Sequence, residues 1–204
     1  MKAWISIGVN LDEVKDALYK LEPRQQNQAL KKALRETAKQ AREKLVKQAQ
    51  ASYTVKNAGF KKAMTIRMAS GSVPAAKLHA EGEPLPLRSF KVSASGRTTR
   101  AQVLKRGRLK ELKRGGIKAF VNNIARKGQT RKKSSRKGAA GSQVRHVAVA
   151  QRQGRKRLEI HEKFSNSIPA MLGSEEHVYG IVEPEIGVNL QDNLRKFIDQ
   201  AMGG

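Results

Sequence analysis

The chain contains no cysteine, which excludes disulfide staples, thiolate nucleophiles and cysteine metal ligands and leaves the redox compartment unmarked. Aromatic residues fill only 4% of its 204 positions, and alanine supplies much of its 38% hydrophobic content. Large core side chains are therefore scarce, and stability should lean on helix packing, sheet formation and neighbouring subunits. No apolar run approaches the ~20 residues of a membrane span. The opening MKAWISIGV is too short for the apolar region of a secretory signal, and Asp12 and Glu13 follow at once. These absences predict a soluble protein, made without export and with no membrane partner.

Acids are the other scarcity. Seventeen Asp and Glu face 42 Lys and Arg, for a net charge of +25. Between Pro86 and Ile160, 23 Lys and Arg meet only Glu111 and Glu159, so that stretch holds +21 of the surplus. Such a one-signed block repels itself unless it is solvated or neutralised, and a phosphate backbone is the commonest neutralising partner. Its densest part is KGQTRKKSSRKGAAG (127–141), with Lys127, Arg131, Lys132, Lys133, Arg136 and Lys137 and no carboxylate. Too few apolar residues lie there to offset ordering entropy, so we expect a mobile basic loop inserted between two strands of a single domain spanning 1–204. Deleting residues 128 to 140 should then leave folding intact. Arg106 and Arg108 extend the same cationic region.

Catalytic patterns are absent. His79, His146, His161 and His177 are scattered, without metal-ligand spacing, although His146 and His161 would face each other across a hairpin. There is no P-loop, GxGxxG or GxSxG sequence. Glu175, Glu176, Glu183 and Glu185 cluster late, and a helix N-terminus or a rim pairing with cations explains them better than acid–base chemistry. The expectation is no enzyme, no catalytic residue, no metal and no cofactor. Phe90 and Phe120, the aromatics of the basic region, read as core anchors rather than base-stacking platforms. Any nucleic-acid contact should then reach phosphate, ignore sequence and weaken steeply with salt.

Periodicity predicts α+β. Residues 2–9 read as a strand or extended arm, and 11–21 as a helix with Asn10 as its cap. Pro23 opens a long helix to about Ala51, with Leu30, Ala33, Leu34, Thr37, Ala38, Ala41, Leu45 and Ala49 as its buried stripe. Short strands follow at 61–69, 75–82, 87–94, 100–107, 118–124, 145–154 and 157–164, the last two as a hairpin. A closing helix over 189–202 has Asn189 as cap, Gly203 as stop, and Leu190, Leu194, Phe197, Ile198 and Met202 on one face. Helices followed by strands and one more helix argue for a largely antiparallel sheet with long basic loops.

Several segments occur in an order known elsewhere: ALKKALRETAKQAREKL, YTVKNAGFKKAMTIRMAS, VLKRGRLKELKRGGIKAF, HVAVAQRQG and RLEIHEKFSNSIPAML. Tyr53, Val55 and Lys56, the GGIKAF run (115–120), the strand–turn–strand with Arg152, and NSIPAML (166–172) carry the likeness. Roughly from Gln28 to Gln200 the chain resembles the minor tail protein Z family of lambda-like tailed bacteriophages and prophages. The RKKSSRKG stretch is the part this resemblance explains least. The resemblance implies a structural virion protein for tail completion, in host cytoplasm during assembly and then near the head–tail junction. It also implies a ring of about six copies, meeting the tail terminator, the head–tail connector and the tail tube, and helping to position the genome end for ejection. Glu175, Glu176, Glu183 and Glu185 would contact basic loops of the next subunit, and the six loop cations would face either the DNA terminus or an acidic neighbouring ring. A different class shares the charge: a sequence-nonspecific nucleic-acid-binding protein of ribosome or nucleoid.

Overall fold

The structure is a computed structural model describing residues 2–7, 15–56, 59–69, 74–95, 98–130, 143–154 and 160–203, without the side chains of 123–130 and 143–146. Along the chain come β1 (Lys2–Ile7), α1 (Lys15–Tyr19), α2 (Pro23–Ser52), α3 (Phe60–Ala63), β2 (Met64–Ala69), β3 (Ala75–Glu81) and β4 (Pro84–Pro86). After a 3-10 turn at Leu87–Ser89 follow β5 (Lys91–Ser95), β6 (Thr98–Gln102), β7 (Lys110–Glu111), β8 (Lys113–Arg114) and β9 (Ile117–Lys118). Then come β10 (Phe120–Thr130), β11 (Gln143–Arg152), β12 (Ile160–Glu162), β13 (Phe164–Ser167), α4 (Ile168–Leu172) and α5 (Tyr179–Met202). The fold is α+β, with antiparallel pairing of β1–β3, β2–β3, β5–β6, β6–β7, β8–β9, β10–β11 and β11–β12.

The residues cluster into two compact units. Unit 1 comprises 1–53, 57–84 and 166–204, and unit 2 comprises 54–56 and 85–165. In unit 1 the sheet order is β1-β3-β2, with β3 central. Helix α2 packs against β3 and α5. Its buried stripe is Ala29, Ala33, Leu34, Thr37, Ala38, Ala41, Leu45 and Ala49; Leu30 is only half-buried, and Ala29 takes its place. The small alanines let neighbouring elements come close, while Leu34 and Leu45 fill the remaining space. Pro23 occupies the first turn of α2, where its missing N–H costs nothing.

Helix α5 departs from expectation: it begins at Tyr179, ten residues before Asn189, which sits inside it and caps nothing. Pro184 and Gly187 read as breakers, yet Val182, Ile186, Leu190 and Leu194 recur every four residues on the buried face and hold the helix together. Met202 at the far end is exposed. Gly180 is demanded by close approach, since a Cβ there would stand 2.5 Å from the Glu175 backbone oxygen. Asn193 enters the seam with α2, its amide donating to Thr37 Oγ1 at 2.9 Å and Gln40 Oε1 at 3.0 Å.

Unit 2 holds β10-β11-β12, β5-β6-β7 and the β8–β9 hairpin. The predicted strand starts at 61 and 87 are a helical turn and a 3-10 turn instead, because Phe60, Leu87 and Phe90 each turn inward to bury. Strands β10 and β11 pair from Phe120↔Ala150 outward to Thr130↔Gln143, so Lys127 belongs to a strand backbone rather than to a loop. Arg131, Lys132, Lys133, Arg136 and Lys137 lie outside the described residues, as does Asn10. The β11–β12 hairpin forms, but its register sets Gln151 opposite His161, while His146 lies opposite Ile124 on the other side, so the two histidines do not meet.

Candidate functional site

The positive charge follows the units. Unit 2 carries 25 Lys and Arg against Glu111, Glu159 and Glu162, whereas unit 1 carries 17 against 14 acids. The surplus is therefore +22 in one unit and +3 in the other.

Within unit 2, local chemistry shapes a cationic cleft. Gly115 and Gly116 adopt φ of 56° and 80°, the left-handed pair that closes a two-residue hairpin turn between β8 and β9. Buried Gln151 donates from Nε2 to the Ile117 oxygen at 2.6 Å and ties that hairpin to β11. Lys163 is fixed through its backbone, its N–H donating to Val149 O and its carbonyl accepting from Leu87 N–H, both at 2.8 Å. The Arg152 guanidinium lies 6.0 Å from the centre of the Phe120 ring, a cation–π distance that orients its fork. Around these anchors is a cavity of about 460 Å³ lined by Arg114, Arg152, Lys163, His161, Gln151 and Gln153, together with Gly115 and Ile117.

Among the described residues no carboxylate lines this cavity. The acceptor of Gln153 is engaged, its Oε1 lying 3.1 Å from His161 Nε2. Arg and Lys offer donors and no acceptor, so the cleft presents mostly N–H groups to whatever enters. Arg106 and Arg108 are exposed on a different loop, after β6, and do not line it. That loop is itself ordered by Gln102, whose Nε2 donates to Lys105 O at 2.9 Å and Gly107 O at 2.6 Å. Phe90 is fully buried, as an anchor should be, but Phe120 is half-buried and supports Arg152. The spacing of Arg114, Arg152 and Lys163, some fifty residues from first to last, carries no local motif. The positive-φ Gly-Gly turn was the one local sign that Arg114 would be held in a defined place.

The late acids lie in unit 1. Glu175 and Glu176 are exposed just before α5, and Glu176 Oε2 is 3.7 Å from His177 Nε2. Glu183 accepts from the Tyr179 hydroxyl at 2.9 Å, and Glu185 pairs with Lys44 of the same chain at 2.7 Å. The four acids do not form a shared cage, and among the described residues no three His, Asp or Glu side chains converge as metal ligands do. Burial pushes the Tyr53 phenol above its ordinary range; Tyr179 is pushed the same way, by burial first and then by the Glu183 carboxylate.

Two of the segments singled out in the sequence, around Tyr53 and at NSIPAML, have structural roles here. Tyr53 closes α2, its N–H donating to Ala49 O, and packs edge-on to His177 at 6.3 Å. Ser167 caps α4 by accepting from Ala170 N–H, with Pro169 in the first turn. Among the described residues no helix is long and apolar enough to cross a membrane. Comparison with known proteins returned nothing: no family model matches the chain, and no curated protein or solved structure is significantly similar to it.

Proposed function

We propose that the chain is a structural protein of a tailed-phage virion, completing the head-proximal end of the tail as a ring of identical copies. Unit 1 makes the ring, and unit 2 turns toward a polyanion. The observation carrying this reading is the partition of charge, +22 in unit 2 against +3 in unit 1. Association between copies is easiest through the nearly balanced unit, because two surfaces of +22 repel. Unit 1 also offers exposed apolar side chains for it: Ile181 and Val188 on α5 are 50% and 63% exposed, and Trp4 is 54% exposed. A closed ring joins one patch to a different patch on the next copy. Glu175 and Glu176 are the acids best placed to serve there, since Glu185 and Glu183 are engaged by Lys44 and Tyr179 of their own chain. The place in the tail, near terminator and connector, rests on the co-linear resemblance.

Mass measurement on the purified protein, followed by negative-stain imaging with and without tail tubes, tests this. Closed rings seated on tube ends are expected. A monodisperse monomer that binds duplex DNA and ignores tubes would overturn the ring and leave the second reading, a sequence-nonspecific nucleic-acid-binding protein. The donor-lined cleft of unit 2 favours that reading equally well.

A further inference from the structure

We infer that the cleft between the β8–β9 hairpin and the β11–β12 pair seats a phosphodiester group of a nucleic-acid backbone. The inference rests on the polyanion-facing half of the proposal above and is independent of ring formation. Three cationic side chains, Arg114, Arg152 and Lys163, converge on one concavity with His161 beside them, and among the described residues no carboxylate lines it. Each is held by a separate device: the Gly115–Gly116 turn with its Gln151 tie, the Phe120 ring, and a backbone bonded on both sides.

A phosphodiester matches this lining group for group. It carries a full negative charge, accepts at several oxygens and donates no hydrogen, whereas the cleft donates and hardly accepts. A base edge would need acceptors as well as donors, and a stacked base would need an open aromatic face. Gln151 and Gln153 supply the cleft's side-chain amide oxygens, the latter already engaged by His161, and among the described residues no Phe, Tyr or Trp lines it. A single side-chain carboxylate is satisfied by one guanidinium fork, which leaves two cations and most of about 460 Å³ unused. The rest of unit 2 extends the match, because a nucleic acid repeats its charge along its length and unit 2 repeats cations from Lys56 to Lys163. Binding should therefore be insensitive to base sequence and steeply dependent on salt.

The test compares two variants of equal charge change in the full chain. One is Arg114→Gln/Arg152→Gln/Lys163→Gln, in the cleft; the other is Lys105→Gln/Arg106→Gln/Arg108→Gln, on the exposed loop after β6. Affinity for a labelled random-sequence duplex is read by fluorescence anisotropy across a salt series, with polyglutamate as the competing probe. The cleft variant should bind roughly tenfold or more weakly. Its plot of log affinity against log salt should be shallower by about one for each phosphate it no longer neutralises. The loop variant should fall clearly less in both. Equal falls in the two variants would overturn the seat in favour of diffuse attraction. Polyglutamate displacing the duplex at equal charge concentration, with the cleft variant binding both more weakly to the same degree, would overturn it in favour of an acidic protein partner. If the triple variant does not fold, Arg114→Gln alone carries the same comparison from an exposed hairpin position, against Arg106→Gln. Mass measurement on the same samples reports ring formation separately, so loss of rings with DNA binding retained, or the reverse, identifies which half fails.

Discussion

Unit 1 buries most of the chain's large core side chains in a helix-on-sheet arrangement, whereas unit 2 is a set of small sheets that buries few among the described residues. Of the twelve largest fully buried side chains among the described residues, only Phe90 and Val149 belong to unit 2. Its shape comes instead from polar ties to backbone: Gln102 to Lys105 and Gly107, Gln151 to Ile117, and the Arg88 guanidinium to Val147 O at 2.7 Å. Such bonds fix geometry while contributing only about 0.5–1.5 kcal/mol each. The difference teaches where the charge lies. The unit with the larger core carries a nearly balanced charge, and the unit held by ladders and ties carries almost all of the cationic surplus.

The sharpest way to break this contrast is Phe90→Ala. Truncating a fully buried Phe costs about 3–5 kcal/mol, and in unit 2 little else of that size remains to compensate. Amide exchange should accelerate across 85–122 and 147–154 while α2 and α5 stay protected. Simultaneous loss of protection in both units would mean that they unfold as one, and the contrast would have no energetic content. Next in size is ligand linkage. A short duplex at a hundredfold its dissociation constant should stabilise the state that binds it by about 2.7 kcal/mol. The added protection should appear in unit 2, and Trp4, the chain's single tryptophan and a unit 1 residue, should report little change in its own unfolding.

A smaller effect probes the seam of unit 1. Asn193→Ala leaves Thr37 Oγ1 without its donor in a buried place and should cost about 1–3 kcal/mol by chemical denaturation. Thr37→Val with Asn193→Leu removes both ends of the buried bond, leaves only half-buried Gln40 without its donor, and should cost less than Asn193→Ala. Gly180→Ala should cost a similar ~1–3 kcal/mol, because the Glu175 backbone must move to admit the methyl group.

What was legible in the sequence followed from what sequence encodes locally. The α2 stripe, Pro23 at its start, the strands around Leu78 and Val149, and Gly203 as the end of α5 rest on period and on single-residue backbone preferences. The start of α5 was hidden because Pro184 and Gly187 signal a break locally, while burial of Val182 and Ile186 is a tertiary effect. The helical turn at Phe60 and the 3-10 turn before Phe90 were hidden in the same way, each serving to bury one ring. The cleft was less legible still. Lys and Arg runs draw the eye to 127–141, but Arg114, Arg152 and Lys163 converge only through strand pairing, which no spacing rule reveals. The positions of Arg106, Arg108 and the four acids were plain from the sequence, while the intrachain pairing of Glu185 with Lys44 was not.

The smallest expected effect separates the units by pH. All three tyrosines, Tyr19, Tyr53 and Tyr179, belong to unit 1, and for Tyr53 and Tyr179 the folded phenol holds its proton above the ordinary value of 10.0. Once the pH exceeds 10.0, the unfolded phenol has lost a proton that the folded one retains. The folded state then binds more protons, so stability falls as pH rises further, and below 10.0 the contribution is fully present. Burial is the leading cause at Tyr53, so Tyr53→Phe should flatten this alkaline loss in denaturation monitored at Trp4, whatever it does to stability at neutral pH. Across the same pH interval, amide protection in unit 1 should therefore weaken more than that of unit 2, which holds no tyrosine. A parallel decline in both, unchanged by Tyr53→Phe, would show that the buried phenols of unit 1 are not what weakens the fold at alkaline pH.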